Sequence, residues 1–266
     1  MKILFHKYSS TGNDFILLDN RNKKFDFIQG SIIENLCHRR FGIGADGVIF
    51  LEKSDKVDFS MRFFNADGTA ANFCGNGARA ITHFAHGLQV DKSSDRYTFE
   101  INNRLVKSEV LDDEVMVEMP AICDLNTINL NEFGLFLGSL YVDTGVPHAV
   151  FITDAVFYDY DLKSLYKKVN KNHKLFPCGV NVSVMEVMDD GFIALRTQER
   201  GVADETYSCG TAAVAAAILT CQFSGFSEEI NIQVRGGKLK ILLDKNFKKI
   251  KLCGKTEKIF EGEIEI

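Results

Sequence analysis

The chain has 266 residues, of which 45% are hydrophobic, 25% charged and 11% aromatic, ordinary proportions for a folded protein that buries a sizeable core as one large domain or two smaller ones. Thirty-six acidic against 31 basic side chains give a formal charge of −5, which argues against a general electrostatic nucleic-acid binder. No run of 18 apolar residues occurs, the N-terminus lacks the apolar stretch of a signal peptide, and three prolines with no low-complexity tract exclude a long disordered region. Neither a nucleic-acid nor a membrane partner is therefore expected.

Taken in chain order, the pattern is mostly short strands. A first helix is expected over 28–40. Phe59, Met61 and Phe63 then alternate with polar or small residues, as strands with one buried face require. A second helix follows over 76–86. Two more alternating runs come next: Tyr97, Phe99 and Ile101, then Val115, Val117 and Met119, separated by the turn signals Asn102-Asn103 and Asp112-Asp113. The second half repeats the mixture, with helices over 162–169 and 211–222 and a Gly236-Gly237 turn between strands. Many strands with few helices predict an α+β fold.

An internal echo organises these elements. Residues 62–80 read R-F-F-N-A-D-G-T-A-A-N-F-C-G-N-G-A-R-A, and 196–215 read R-T-Q-E-R-G-V-A-D-E-T-Y-S-C-G-T-A-A-V-A. Each runs strand, polar turn, Cys-Gly, helix, and each is followed by a strand with a tight turn. Cys74 and Cys209 lie about half the chain apart. Two similar domains are expected. The first covers 1–118 and is completed by the C-terminal strand at about 257–266; the second covers 119–256.

Seven cysteines, an odd number at wide spacing and without C-x-x-C, do not form a secreted disulfide framework or a zinc ribbon; they point to a reducing cytoplasm. Cys37, Cys123, Cys221 and Cys253 read as small buried hydrophobes, while Cys178 sits in a Pro-Cys-Gly turn. Cys74 and Cys209 differ, because each stands immediately before a helix among polar, Gly-rich residues. A helix N-terminus carries partial positive charge and unpaired N–H donors, so it binds a carboxylate and stabilises a thiolate. Two such sites acting on opposite faces of one carbon can invert a stereocentre, with one thiolate removing a proton and the other thiol returning one. Donors held on the adjacent carboxylate would stabilise the charge that develops there.

Further motifs carry a family resemblance over nearly the whole chain. They are Gly12-Asn13-Asp14-Phe15, Gly42-Ile43-Gly44-Ala45-Asp46-Gly47, Phe64-Asn65-Ala66-Asp67-Gly68, Cys74-Gly75-Asn76-Gly77-Ala78-Arg79, Thr144-Gly145-Val146-Pro147-His148, Gly179-Val180-Asn181-Val182, Glu199-Arg200-Gly201 and Cys209-Gly210-Thr211. In this order they resemble diaminopimelate epimerase. The resemblance implies two similar domains, each a β-barrel-like sheet around a central helix, and an isomerase without metal, pyridoxal or other cofactor. The substrate would be a diamino dicarboxylic acid, in lysine and peptidoglycan precursor biosynthesis. A homodimer follows from the family alone.

Residue by residue, the resemblance makes Cys74 and Cys209 the acid/base pair. Asn13, Asn65 and Asn181 become substrate contacts, and Gly75, Asn76, Gly210 and Thr211 the grip on the reacting carboxylate. Glu199 and Arg200 would hold the distal end, with His148 and Glu199 supporting catalysis. On their own, the three asparagines read first as turn or cap residues and Glu199-Arg200 as a solvated pair, and His148 can be read as a ring bonded to a loop carbonyl; their functional reading rests on the resemblance. Gly47, Val146 and Ala212 depart from the family pattern: Gly47 offers no side chain, Val146 no amide, and the Ala212 methyl either narrows the carboxylate site or packs. Two rival readings are another racemase of the same fold, of the proline or hydroxyproline type, and a non-enzymatic thiol redox switch.

Overall fold

The computed structural model describes residues 1–91, 94–122, 125, 128, 130–153, 157–188 and 191–266. Cys123 lies outside them. The chain forms two compact units, one made of Met1–Glu118 with Gly254–Ile266, the other of Met119–Cys253.

In the first unit, β1 (Lys2–Ser10) turns antiparallel into β2 (Asn13–Asp19) through Thr11 and Gly12, whose φ angles are 51° and 85°. Helix α1 (Ser31–Cys37) then carries the chain to β3 (Gly47–Glu52), parallel to β2, and β4 (Phe59–Asn65) returns antiparallel. After α2 (Gly75–Gly87), β5 (Arg96–Ile101) lies parallel to β4. β6 (Arg104–Leu111) and β7 (Glu114–Glu118) follow as antiparallel hairpins. The first hairpin turns at Asn102 and Asn103, with φ of 48° and 64°, the left-handed pair that a two-residue turn between right-twisted strands needs. The last strand, β14 (Ile250–Glu265), pairs antiparallel with β1 and also borders β7, which closes the strands of this unit into a mixed ring.

Helix α2 is the central element of that ring, in contact with β1, β2, β3, β6 and β7. Its small residues Ala78, Ala80 and Ala85 are fully buried together with Ile81, Phe84 and Arg79. A helix surrounded by sheet has no solvent face, so it is apolar or fully bonded all round. Arg79 meets that condition in part through a 2.9 Å bond to the Thr11 hydroxyl. Phe59, Met61, Phe63, Tyr97, Phe99, Ile101, Val115 and Val117 are all buried, as their alternation requires.

The second unit repeats this order. β8 (Gly138–Asp143) and β9 (Pro147–Ile152) are antiparallel; α3 (Leu162–Asn170) leads to β10 (Asn181–Val187), parallel to β9; β11 (Ile193–Gln198) returns antiparallel. After α4 (Gly210–Ser224) comes β12 (Glu229–Val234), parallel to β11, and its hairpin partner β13 (Gly237–Leu243). Residues 212–219 of α4 are buried on every side. The Ala212 methyl is wholly inside, so it packs.

Helix α1 is shorter than the expected 28–40. Gly30, with φ of 52°, precedes it outside helical geometry. At its other end the Leu36 carbonyl accepts the N–H groups of both Ile43 and Gly44, so residues 38–44 fold back as a turn. Gly42 packs so closely there that a Cβ would lie 1.9 Å from the Asn35 carbonyl oxygen. Among the described residues no helix is long and apolar enough to cross a membrane.

Candidate active site

Each unit presents a cysteine at the N-cap of its central helix. Cys74 caps α2 with extended backbone (φ −141°, ψ 120°), and its sulfur accepts the Gly77 N–H at 3.4 Å. The first bond of the helix ladder runs from Ala78 N–H to the Cys74 carbonyl, so the N–H groups of Gly75 and Asn76 lie ahead of the i→i−4 ladder at the start of the helix. Cys209 holds the corresponding position before α4 with similar backbone (φ −126°, ψ 109°), and Ala213 N–H is bonded to its carbonyl.

In the first unit the structure joins three of the expected residues directly. The Asn13 Oδ1 lies 3.8 Å from Cys74 Sγ and accepts the Asn76 amide at 3.2 Å. The Asn13 amide nitrogen donates to Asp46 Oδ2 at 2.6 Å. Behind it stands a charge cluster: Arg39 bonds both oxygens of Asp14 (3.0 and 2.7 Å) and Asp46 Oδ1 (2.7 Å), and Lys7 pairs with Asp14 at 2.6 Å while donating to the Gly44 carbonyl. Burial alone would raise the Asp14 carboxyl, but the hydrogen bonds from Arg39 and Lys7 override it and hold the pKa down to about 2. Sequence reasoning gave Asn13 a role and missed Asp14, Arg39 and Asp46, although two of these stand inside the quoted motifs.

Asn65 reaches the same end of the sheet through register: Gly47 pairs with Phe15 on one side and Asn65 on the other. Its amide is engaged within its own turn, donating to Thr69 Oγ1 at 3.2 Å. Gly47 itself is buried, and a Cβ there would lie 2.5 Å from the Phe64 carbonyl oxygen.

In the second unit Cys209 Sγ lies 3.3 Å from the Thr211 hydroxyl, which meets His148 Nε2 at 3.0 Å. Thr144 Oγ1 donates to the Thr211 carbonyl at 3.1 Å, tying the loop before β9 to the first turn of α4. His148 is fully buried; burial first, and the Arg200 charge second, push its pKa down to about 3, so the ring is neutral at neutral pH. Asn181 lies opposite His148 in the parallel β9–β10 register, and its Oδ1 accepts the Arg200 N–H at 2.9 Å. The Arg200 guanidinium is exposed and donates to the Cys178 carbonyl at 2.7 Å, while Glu199 beside it is half-buried. Arg196 is anchored to the Glu205 carboxylate and to the carbonyls of Phe157, Tyr158 and Tyr160, which secures the strand leading to this turn.

Known proteins share the fold and much of the sequence. A family model for diaminopimelate epimerase matches residues 5–122 and 140–259. The diaminopimelate epimerase of Flavobacterium psychrophilum is 35% identical over 263 residues, covering 97% of this chain and 99% of that one. The diaminopimelate epimerase of Chlorobaculum tepidum is 34% identical over 264 residues, covering 97% and 100%. Among solved structures, a phenazine biosynthesis protein of the PhzF family from Bacillus anthracis matches with a TM-score of 0.73 at 15% identity over 100% of both chains. A probable proline racemase from Agrobacterium radiobacter, with bound carbonate, matches at 0.69 and 14% identity over 99% of this chain and 93% of that one. Those distant likenesses establish the α+β fold with its mixed barrel, and the sequence matches over nearly the full length establish more: the chain belongs to the diaminopimelate epimerase family, a family of isomerases.

Proposed function

We propose that this isomerase is a cofactor-independent epimerase that interconverts LL- and meso-2,6-diaminopimelate, with Cys74 and Cys209 as its two bases. The reading is carried by one observation: both cysteines occupy the N-cap of the buried helix of their unit, beside its first N–H groups. One sulfur, as thiolate, takes the α-proton; the other, as thiol, gives its proton to the opposite face of the same carbon. Each turnover therefore exchanges the protonation states of the two residues.

The N–H groups of Gly75, Asn76, Gly210 and Thr211 grip the reacting carboxylate, where charge builds up in the transition state. Asn13, Asn65 and Asn181 contact the substrate. Arg200 forks onto the distal carboxylate and Glu199 faces the distal ammonium. His148 and Glu199 support the two cysteines, His148 through the Thr211 hydroxyl. The same reading places the protein in the cytoplasm, in the supply of lysine and peptidoglycan precursors.

The test is epimerisation of LL-2,6-diaminopimelate in heavy water. The expected result is formation of the meso form with solvent deuterium at one α-carbon, abolished by Cys74→Ala and by Cys209→Ala. Full activity in either variant would overturn the two-base mechanism. Turnover of proline or hydroxyproline in place of the diamino acid would overturn the substrate.

A further inference from the structure

We infer that Asp46 is a positioning residue for Cys74, acting by fixing the Asn13 side-chain amide so that its oxygen faces the thiol. This rests on the reading of Cys74 as one of the acid/base pair. An amide can present either its oxygen or its NH2 to a neighbour, and rotation exchanges the two. At Asn13 the choice is made by Asp46. A carboxylate only accepts hydrogen bonds, so the 2.6 Å contact with Asp46 Oδ2 requires the NH2 on that side. The same oxygen takes the Asp14 N–H at 3.2 Å, and the other oxygen is held by Arg39 at 2.7 Å, so Asp46 cannot readily turn away. Arg39 is in turn clamped on Asp14, which pairs with Lys7.

With the NH2 committed to Asp46, the Asn13 oxygen points to the Asn76 amide (3.2 Å) and to Cys74 Sγ (3.8 Å). An oxygen lone pair accepts an S–H and repels a thiolate. At Cys74 it opposes the Gly77 N–H and the helix N-terminus, both of which favour the thiolate. The opposition has a use. A two-base epimerase needs one protonated and one deprotonated sulfur in every ground state, and a site that stabilised only thiolates would have no acid. Asp46, acting through Asn13, keeps Cys74 able to hold its proton.

The test is the pH profile of Cys74 alkylation by iodoacetamide, resolved by peptide mass spectrometry, in the full chain and in Asp46→Asn, Asn13→Ala and the double variant. An Asn at 46 donates as well as accepts and releases the amide. Each single variant is expected to move the midpoint down by about half a pH unit, which raises the rate about threefold below the midpoint. The double variant is expected to add nothing to Asn13→Ala. An unmoved profile in Asp46→Asn overturns the inference. So does an equal shift from Asp46→Asn in the Asn13→Ala background, which would mean that the Asp46 charge acts on the sulfur directly. Should Asp46→Asn fail to fold, an unmoved profile in Asn13→Ala overturns it and a downward shift supports it. The readout needs no substrate, so failure of the diaminopimelate reading would appear separately, as absent turnover in the unaltered protein.

Discussion

His148 Nε2 meets the Thr211 hydroxyl at 3.0 Å, and that hydroxyl lies 3.3 Å from Cys209 Sγ, so a buried ring is linked to the helix-capping sulfur through one side chain. The ring is neutral because burial, reinforced by the Arg200 charge, pushes its pKa down to about 3. The unfolded chain regains an ordinary histidine. Between pH 6.5 and 3 the unfolded state therefore binds the extra proton, and stability falls as pH is lowered through this window. The loss approaches about 1.4 kcal/mol per pH unit. His148→Gln, whose amide can donate to or accept from Thr211, is expected to flatten urea-unfolding stability between pH 6.5 and 4.5 by about 2 kcal/mol relative to the unaltered chain. Parallel pH profiles for the two proteins would contradict a neutral buried ring.

Asp14 is held in its charged form, whereas His148 is held neutral, although both pKa values are lowered. The Asp14 side chain is only 18% exposed, and burial alone would raise its pKa, yet hydrogen bonds from Arg39 and Lys7 bring it to about 2. A depressed folded value means the stabilisation is present above the unfolded value of 3.8 and is lost as pH falls from about 4 toward 2. Asp14→Asn is expected to cost about 2 kcal/mol in denaturant unfolding at pH 7, with the gap closing steadily below pH 4. A pH-independent difference between the two proteins would show that the cost is packing and not charge.

These two groups also mark what the sequence could convey. Phe59, Met61 and Phe63 were legible because a strand with one buried face has period two, and Cys74 and Cys209 because a helix start has a local signature. The end of α1 was not legible. It depends on the Leu36 carbonyl accepting from Ile43 and Gly44, a choice made by the fold of a turn and not by helix propensity. The holder of Asn13 was hidden for a related reason. Asp46 is brought to Asn13 by the parallel pairing of β2 with β3, a contact between residues 33 apart that leaves no periodic trace in the chain. Both residues stood in motifs, but only the register shows that they belong together.

Thiol reactivity gives a third expectation. Burial pushes the Cys37 thiol up to about 12 and also raises Cys221, whereas Cys178 is exposed. The thiolate is the reacting species, so brief alkylation at pH 8 is expected to label Cys178 and to leave Cys37 and Cys221 unmodified until denaturant is added. Peptide mass spectrometry reads this directly. Labelling of Cys37 at a rate comparable to Cys178 would mean that the α1 region opens far more readily than its buried contacts imply.

Gly47 supplies the last test, because its lack of a side chain is set by how closely the neighbouring strand approaches. In this chain β3 and β4 approach so closely that a Cβ at 47 would lie 2.5 Å from the Phe64 carbonyl oxygen and 2.7 Å from Phe63 Cε2. The ring could swing aside at some expense, but the carbonyl belongs to the ladder that pairs Gly47 with Asn65 and Val48 with Phe64. Gly47→Gln must therefore displace backbone before its amide can contact any substrate. Overpacking of this kind costs about 1–3 kcal/mol, and the expected outcome is a loss of that size in denaturant unfolding, together with lower epimerase turnover. Because Asn65 ends the displaced strand, turnover should fall for Gly47→Ala as well, where no new polar contact is possible. A Gly47→Gln protein of unchanged stability and higher turnover would show that the strands yield and that this position can accept an amide side chain.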